Sequence, residues 1–161
     1  MPRTSAGILP YRVRHGRLEV LLVHPGGPFW AKKDAGAWSI AKGEFEPAED
    51  PLVAAIREFG EETGHTPAGT FLRLTTRTQP GGKVVHAWAV EMDWDPAELA
   101  SNAFEMEWPR GSGRMRRFPE VDRAEWFERD EALWRILAGQ RGFIEELSER
   151  LGALDRREPP A

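Results

Sequence analysis

Apolar positions recur along this chain with two different periods, and each change of period marks a change of element. Residues 6–12 and 18–24 are dense in apolar side chains and predict two strands. The polar Arg14-His15-Gly16-Arg17 between them predicts a hairpin turn. Pro10 has no N–H to give a ladder, so the first strand is expected at an edge or to carry a bulge. Pro25-Gly26-Gly27-Pro28 signals a loop, and Trp38-Ser39-Ile40 a short strand that runs into the next one. The period then shifts to 3.6. Leu52, Ala55, Ile56 and Phe59 stand at i, i+3, i+4 and i+7, with Asp50-Pro51 as a start and Gly64 as a stop. Strands return at 70–79 and 83–93, about the turn Pro80-Gly81-Gly82. A helical turn is expected within 95–102. Residues 104–108 alternate apolar and acidic, 109–113 predict a turn, and 124–127 a last strand. Residues 130–138 and 143–151 read as amphipathic helices. Residues 1–154 are therefore expected to form one α+β domain, and the charged, Pro-rich 155–161 a flexible tail.

Composition narrows the function. At 161 residues, with 40% hydrophobic and 30% charged, the chain suits one globular core. It has no cysteine, which excludes disulfides, thiolate catalysis and Cys-based zinc sites and fits a cytoplasmic protein. No stretch is apolar and long enough to span a membrane, so no membrane partner is expected. A net charge of −4 argues against a general nucleic-acid binder. A negative protein that takes an anionic substrate must supply local cations: Lys, Arg, or a metal held by carboxylates.

The polar side of the helix at 51–63 supplies those carboxylates. Glu58 and Glu62 are four residues apart and share a face; Glu61 lies beside them, and Arg57 is four before it. Like charges at these spacings cost a few tenths of a kcal/mol per pair, roughly. They also sit toward the negative end of the helix dipole, and Gly60 costs about 1 kcal/mol more relative to Ala. A solvated acidic face is the ordinary reading of three Glu. A hard divalent cation, Mg²⁺ or Mn²⁺, would relieve the repulsion and polarise phosphoryl oxygens.

The whole segment decides between these readings. Gly43, Glu49, Arg57, Glu58, Phe59, Glu61, Glu62 and Gly64 fit the pattern G-x5-E-x7-R-E-U-x-E-E-x-G-U, where U is a bulky apolar residue. Seven fixed positions at roughly one in fifteen each give a chance match of about 10⁻⁸ per starting point. The segment 43–65 resembles the Nudix hydrolase family on this ground, with His65 departing from the usual aliphatic residue and expected to pack. The resemblance implies an α/β/α sandwich with a mixed sheet. It also implies Mg²⁺- or Mn²⁺-dependent hydrolysis of a phosphoanhydride bond in a nucleoside-diphosphate-linked compound. It assigns Glu58, Glu61 and Glu62 with the Gly43 carbonyl to the metal. Glu58, Glu61 and Arg57 become catalytic, with Glu61 as ligand or water-orienting group and Arg57 steadying the glutamates. Glu49 becomes a structural partner.

Residues outside this segment bear on the substrate, a small nucleotide or polyphosphate. Trp38 to Gly43 resembles the segment preceding the box in Nudix members that act on dinucleoside polyphosphates or diphosphoinositols, although Ala41 stands where Pro is usual. Lys42 is placed there for phosphate. Phe29, Trp30 and Trp88 are candidates to stack on a base, His86 alternates with Trp88, and Arg116 belongs to the basic run 114–117. Glu107 and Glu120 are candidates for a further carboxylate. Two other functions remain open: a Nudix-like binding or sensor domain without catalysis, whose usual sign is loss of box carboxylates, and an RNA 5′-end pyrophosphohydrolase.

Overall fold

The computed structural model describes residues 3–155 of the chain. β1 (Thr4–Arg14) and β2 (Arg17–Pro25) form the expected hairpin. Its two turn residues, His15 and Gly16, both have positive φ, at 53° and 75°, as a right-twisted two-residue hairpin requires. β1 then becomes the hub of a mixed sheet. It runs parallel to β6 (Val84–Glu91) from Thr4 to Tyr11. Along its other side it pairs antiparallel first with β3 (Ala41–Glu44) and then with β2. Pro10 is thus not on an edge strand. It falls between Ile8, the last residue registered with β3, and Tyr11, the first with β2, where the partner changes.

The sheet runs β4-β6-β1-β2-β9, with β4 over Phe71–Arg73 and β9 over Val121–Glu128, while β5 (Arg77–Thr78) adds to β6. Alternation sends side chains to two layers. Ala6, Ile8, Leu21, Val23, Trp88 and Val90 pack under α1 (Pro51–Thr63). Leu9, Val20, Leu22, Val85, Ala87 and Ala89 pack under α2 (Arg129–Arg135) and α3 (Arg141–Asp155). This is the expected α/β/α sandwich. β7 (Ala103–Glu107) and β8 (Met115–Pro119) form a separate two-stranded sheet.

Some boundaries differ from the sequence reading for non-local reasons. Residues 41–44 are strand rather than loop because β1 offers them a free ladder. Trp38 and Ser39 make only isolated bridges, to Ile136 and Val23. The expected strand at 70–79 breaks into β4 and β5, although Leu74 still donates to the Ala87 carbonyl at 3.0 Å. The helix expected over 130–138 stops at Arg135, because Ile136 turns extended and Leu137 donates to the Trp38 carbonyl at 2.8 Å. The helical turn expected within 95–102 is a short 3₁₀ turn at Pro96–Glu98. The expected tail from 155 on lies, beyond Asp155, outside the described residues. No helix among the described residues is long and apolar enough to cross a membrane.

Candidate active site

Local rules fix the rotation of α1. The Asp50 side chain accepts from Leu52 and Val53 N–H at 3.1 Å each, and Pro51 follows at the first helical position. Gly64 closes the helix at φ 79°, its N–H 2.8 Å from the Gly60 carbonyl. Between these caps Ala54, Ala55 and Phe59 are buried against the sheet. Glu58 and Glu62 therefore stand at the margin of this buried face, beside β3, while Arg57 and Glu61 stand further out.

Arg57 organises these carboxylates. It makes a fork to Glu49, Nε to Oε2 at 3.0 Å and Nη2 to Oε1 at 2.9 Å. Its Nη1 donates to Glu58 Oε1 at 2.9 Å and to Glu61 Oε1 at 3.1 Å. The Glu49 fork leads in holding the guanidinium charged, and in return draws the Glu49 carboxyl below its usual range. The chain meets this cluster closely at Gly43, where any Cβ would collide with the Glu58 carboxylate. A side chain at this position would push that carboxylate off its bond with Arg57.

Glu62 lies deeper. It accepts from Lys42 N–H at 3.3 Å, and burial, reinforced by Glu58 and Glu120, pushes its carboxyl up to about 8. Burial and Glu61 raise Glu58 as well, against the pull of Arg57. Glu120, at the turn into β9, adds to both shifts, so its charge stands close to this pair. Lys42 is the counterpart. Burial, then the neighbouring Lys83, lower its ammonium to about 8.

Lys42, Glu62 and Glu120 share the wall of a cleft of about 200 Å³ with Trp30, Val23, Pro25, Ile40 and Leu137. It is the cleft that joins a box carboxylate, Glu62, to a lysine and an aromatic ring. Larger hollows lie elsewhere, for example one of about 550 Å³ edged by Arg17, Glu128 and Asp130, remote from α1 in the chain and lacking any box residue.

The expected site residues thus separate into two groups. The structure brings Glu62, Lys42 and Trp30 to the cleft lining, adds Glu120 there, and links Glu58, Glu61, Arg57 and Gly43 to one another beside Glu62. It does not bring His86 or Arg116 to the cleft lining. Alternation along β6 turns His86 to the α1 layer, where its ring is 6.0 Å from Phe45 and its Nδ1 3.2 Å from Thr76 Oγ1. Burial, then Arg73, lower its pKa. Arg116 sits on the outer hairpin opposite Met106, over the Phe118 ring at 5.5 Å. Glu107 closes that same hairpin by accepting from Gly111 N–H. Trp88 is core, 7% exposed. His65 packs, stacked on Trp94 at 5.6 Å.

Sequence reasoning missed His24. It is fully buried, with Nδ1 2.7 Å from Asp122 Oδ1 and Nε2 2.7 Å from the Lys33 carbonyl. It ties the loop that carries Trp30 to β9. Asp122 is 98 residues away, and no local pattern marks the pair.

The donor set suits a hard divalent cation: carboxylate oxygens that burial and mutual repulsion leave in want of positive charge, beside a backbone held close by Gly43. Among the described residues no three such groups already converge at ligand distance, and Arg57 engages Glu58 and Glu61 by one oxygen each.

Comparison with known proteins agrees with this architecture. The family model described as NUDIX domain matches residues 1–147. The chain is similar to an Ap4A hydrolase of C. elegans in a binary complex, at 24% identity and TM-score 0.66, over 92% of this chain and 98% of that one. It is similar to the NUDIX domain of Shewanella oneidensis NrtR complexed with ADP ribose, at 18% identity and TM-score 0.63, over 94% and 89%. A mutT/nudix family protein from Listeria innocua gives 18% identity and TM-score 0.62 over 98% and 99%. At these identities the likeness establishes a shared fold.

Proposed function

The chain belongs to the Nudix family, and from that premise we propose that it is a pyrophosphohydrolase cleaving a phosphoanhydride bond in a nucleoside-diphosphate-linked compound, with dinucleoside polyphosphates as the favoured class. The carrying observation is the cleft that sets Lys42 beside Glu62 and Glu120. The C. elegans Ap4A hydrolase and the ADP-ribose complex of the NrtR domain support the substrate class by analogy of fold.

Glu58, Glu61, Glu62 and the Gly43 carbonyl would hold the cation, with Glu120 as a further carboxylate. When bound, Mg²⁺ or Mn²⁺ neutralises charge on the phosphates and acidifies water. The protein's own residues do the rest. Lys42 binds a phosphate oxygen by a charge-assisted bond. Arg57, anchored on Glu49, holds Glu58 and Glu61 in place by their Oε1 atoms. Glu61 Oε2 takes no part in these bonds, so it is the oxygen that either ligates the cation or orients the attacking water. Trp30 walls the cleft and limits water there.

A panel of purified protein with Mg²⁺ against nucleoside triphosphates, nucleotide sugars, dinucleoside polyphosphates, diphosphoinositols and 5′-triphosphate RNA tests the assignment. Highest kcat/KM on dinucleoside polyphosphates supports it. A preference for another class removes the substrate reading, and no hydrolysis of any member leaves a binding domain instead.

A further inference from the structure

Phe29 and Trp30 are neighbours in the loop after β2, but they face different surroundings. Trp30 lines the cleft, with Lys33 Nζ 5.0 Å from its ring. Phe29 is 47% exposed and meets Trp108, from the β7–β8 hairpin, edge to face at 5.5 Å and 82°. Arg110 lies over the Phe29 ring at 5.5 Å.

This contact belongs to a clasp. Gly26 N–H donates to the Glu120 carbonyl at 2.9 Å, and the Phe104 ring packs over Gly27. The hairpin is thereby seated on the loop whose next residue walls the cleft, and Glu120 belongs both to the clasp and to the cleft lining. Two perpendicular rings make a corner: a flat ligand stacked on one ring meets the other edge-on, the arrangement aromatic quadrupoles favour. Arg110 over Phe29 and Lys33 beside Trp30 carry only hydrogen-bond donors and suit a ligand that carries phosphate. Of the two carboxylates on β7, Glu107 is committed to Gly111 N–H and Glu105 is registered opposite Arg117.

We propose that Phe29, Trp108 and Arg110 form a nucleobase-binding rim at the mouth of the cleft, which takes the base of a nucleoside phosphate by stacking. The inference rests on the nucleoside-phosphate reading of the cleft. It gives the hairpin a role that the box chemistry leaves unassigned: the box acts on the phosphates, and the rim holds the base.

The test separates base from phosphate. Binding of α,β-methylene-ADP and of base-free methylenediphosphonate is measured by calorimetry with Mg²⁺, for the wild type, Phe29→Ala, Phe29→Leu, Trp108→Ala and, as a control, Trp134→Ala on α2. Loss of a stacking ring costs about ten-fold in affinity. Phe29→Ala, Phe29→Leu and Trp108→Ala should each weaken the nucleotide by about that factor and leave methylenediphosphonate unchanged, while Trp134→Ala changes neither. Phe29→Leu keeps apolar bulk against the hairpin, so its loss of nucleotide affinity reports the ring face and not the clasp. Equal weakening of both ligands, undiminished nucleotide binding by Phe29→Leu, or a wild type that binds the nucleotide no tighter than methylenediphosphonate overturns the proposal. A wild type that shows the ring-dependent preference but hydrolyses no phosphoanhydride would retain the rim and remove only the hydrolase reading.

Discussion

The two walls of the cleft are built in opposite ways. One comes from a single run, residues 43–64, in which a helix with both ends capped sends Glu62 into the cleft and sets Glu58 and Glu61 beside it. The other is assembled from separate pieces: Trp30 from the loop after β2, Lys42 from β3, Glu120 from the turn before β9, Leu137 from beyond α2. The first wall suffers charge repulsion that a cation relieves; the second offers a half-buried ammonium and an aromatic ring. Chemistry common to many phosphoanhydrides belongs on the local wall, and choice of substrate on the assembled one.

Breaking the local wall should have the larger effect. Glu62→Gln is expected to lower kcat by at least about 100-fold, since it removes charge stabilisation worth several kcal/mol, roughly. The fold should persist, because an amide keeps the shape of the buried carboxyl and repulsion falls. A near-native rate in a folded variant would contradict its role. Breaking the assembled wall should act on binding. Lys42→Ala should raise KM about ten-fold with a smaller change in kcat, and more for longer phosphate chains, because a charge-assisted bond of ~1.5–3 kcal/mol is lost in ground and transition states alike. A penalty independent of phosphate number would show that Lys42 does not meet the chain.

A further effect, on the fold and not on turnover, concerns stability without metal. Glu62 has a proton affinity raised from 4.5 in the unfolded chain to about 8 in the fold. The folded state therefore binds more protons between these values, and stability falls as pH rises through that window. Lys42, lowered from 10.5 to about 8, acts in the next window with the opposite slope. Denaturant titrations of chelated protein should show lower stability at pH 8 than at pH 5, a slope much reduced in Glu62→Gln, and recovery at pH 8 when Mg²⁺ is added. A pH-independent wild type would remove the argument from burial and repulsion at Glu62.

The difference between the walls also explains what the sequence made legible. The caps Asp50 and Gly64, the apolar face of α1 and the spacing of its glutamates follow from interactions within a few residues, and all stand where the periodicity puts them. Pro10 misled because its tolerance depends on β1 changing partners, a property of the assembled sheet. β3 was hidden for the same reason: four residues, AKGE, have no periodicity and become strand only beside β1. Glu120 was one of several acidic residues in loops and strand ends until β9 brought it to the cleft. Alternation correctly put His86 and Trp88 on one face, but only the position of α1 shows that this face is covered. His24 and Asp122 meet across 98 residues, a separation at which no sequence spacing carries information.

The most direct test of the account is turnover of a dinucleoside polyphosphate by purified protein before chelation, after thorough chelation, and after restoring Mg²⁺ or Mn²⁺. The account predicts that hydrolysis disappears on chelation, returns with either ion, and fails to return in Glu62→Gln under the same conditions. Undiminished turnover by the chelated wild type would contradict it.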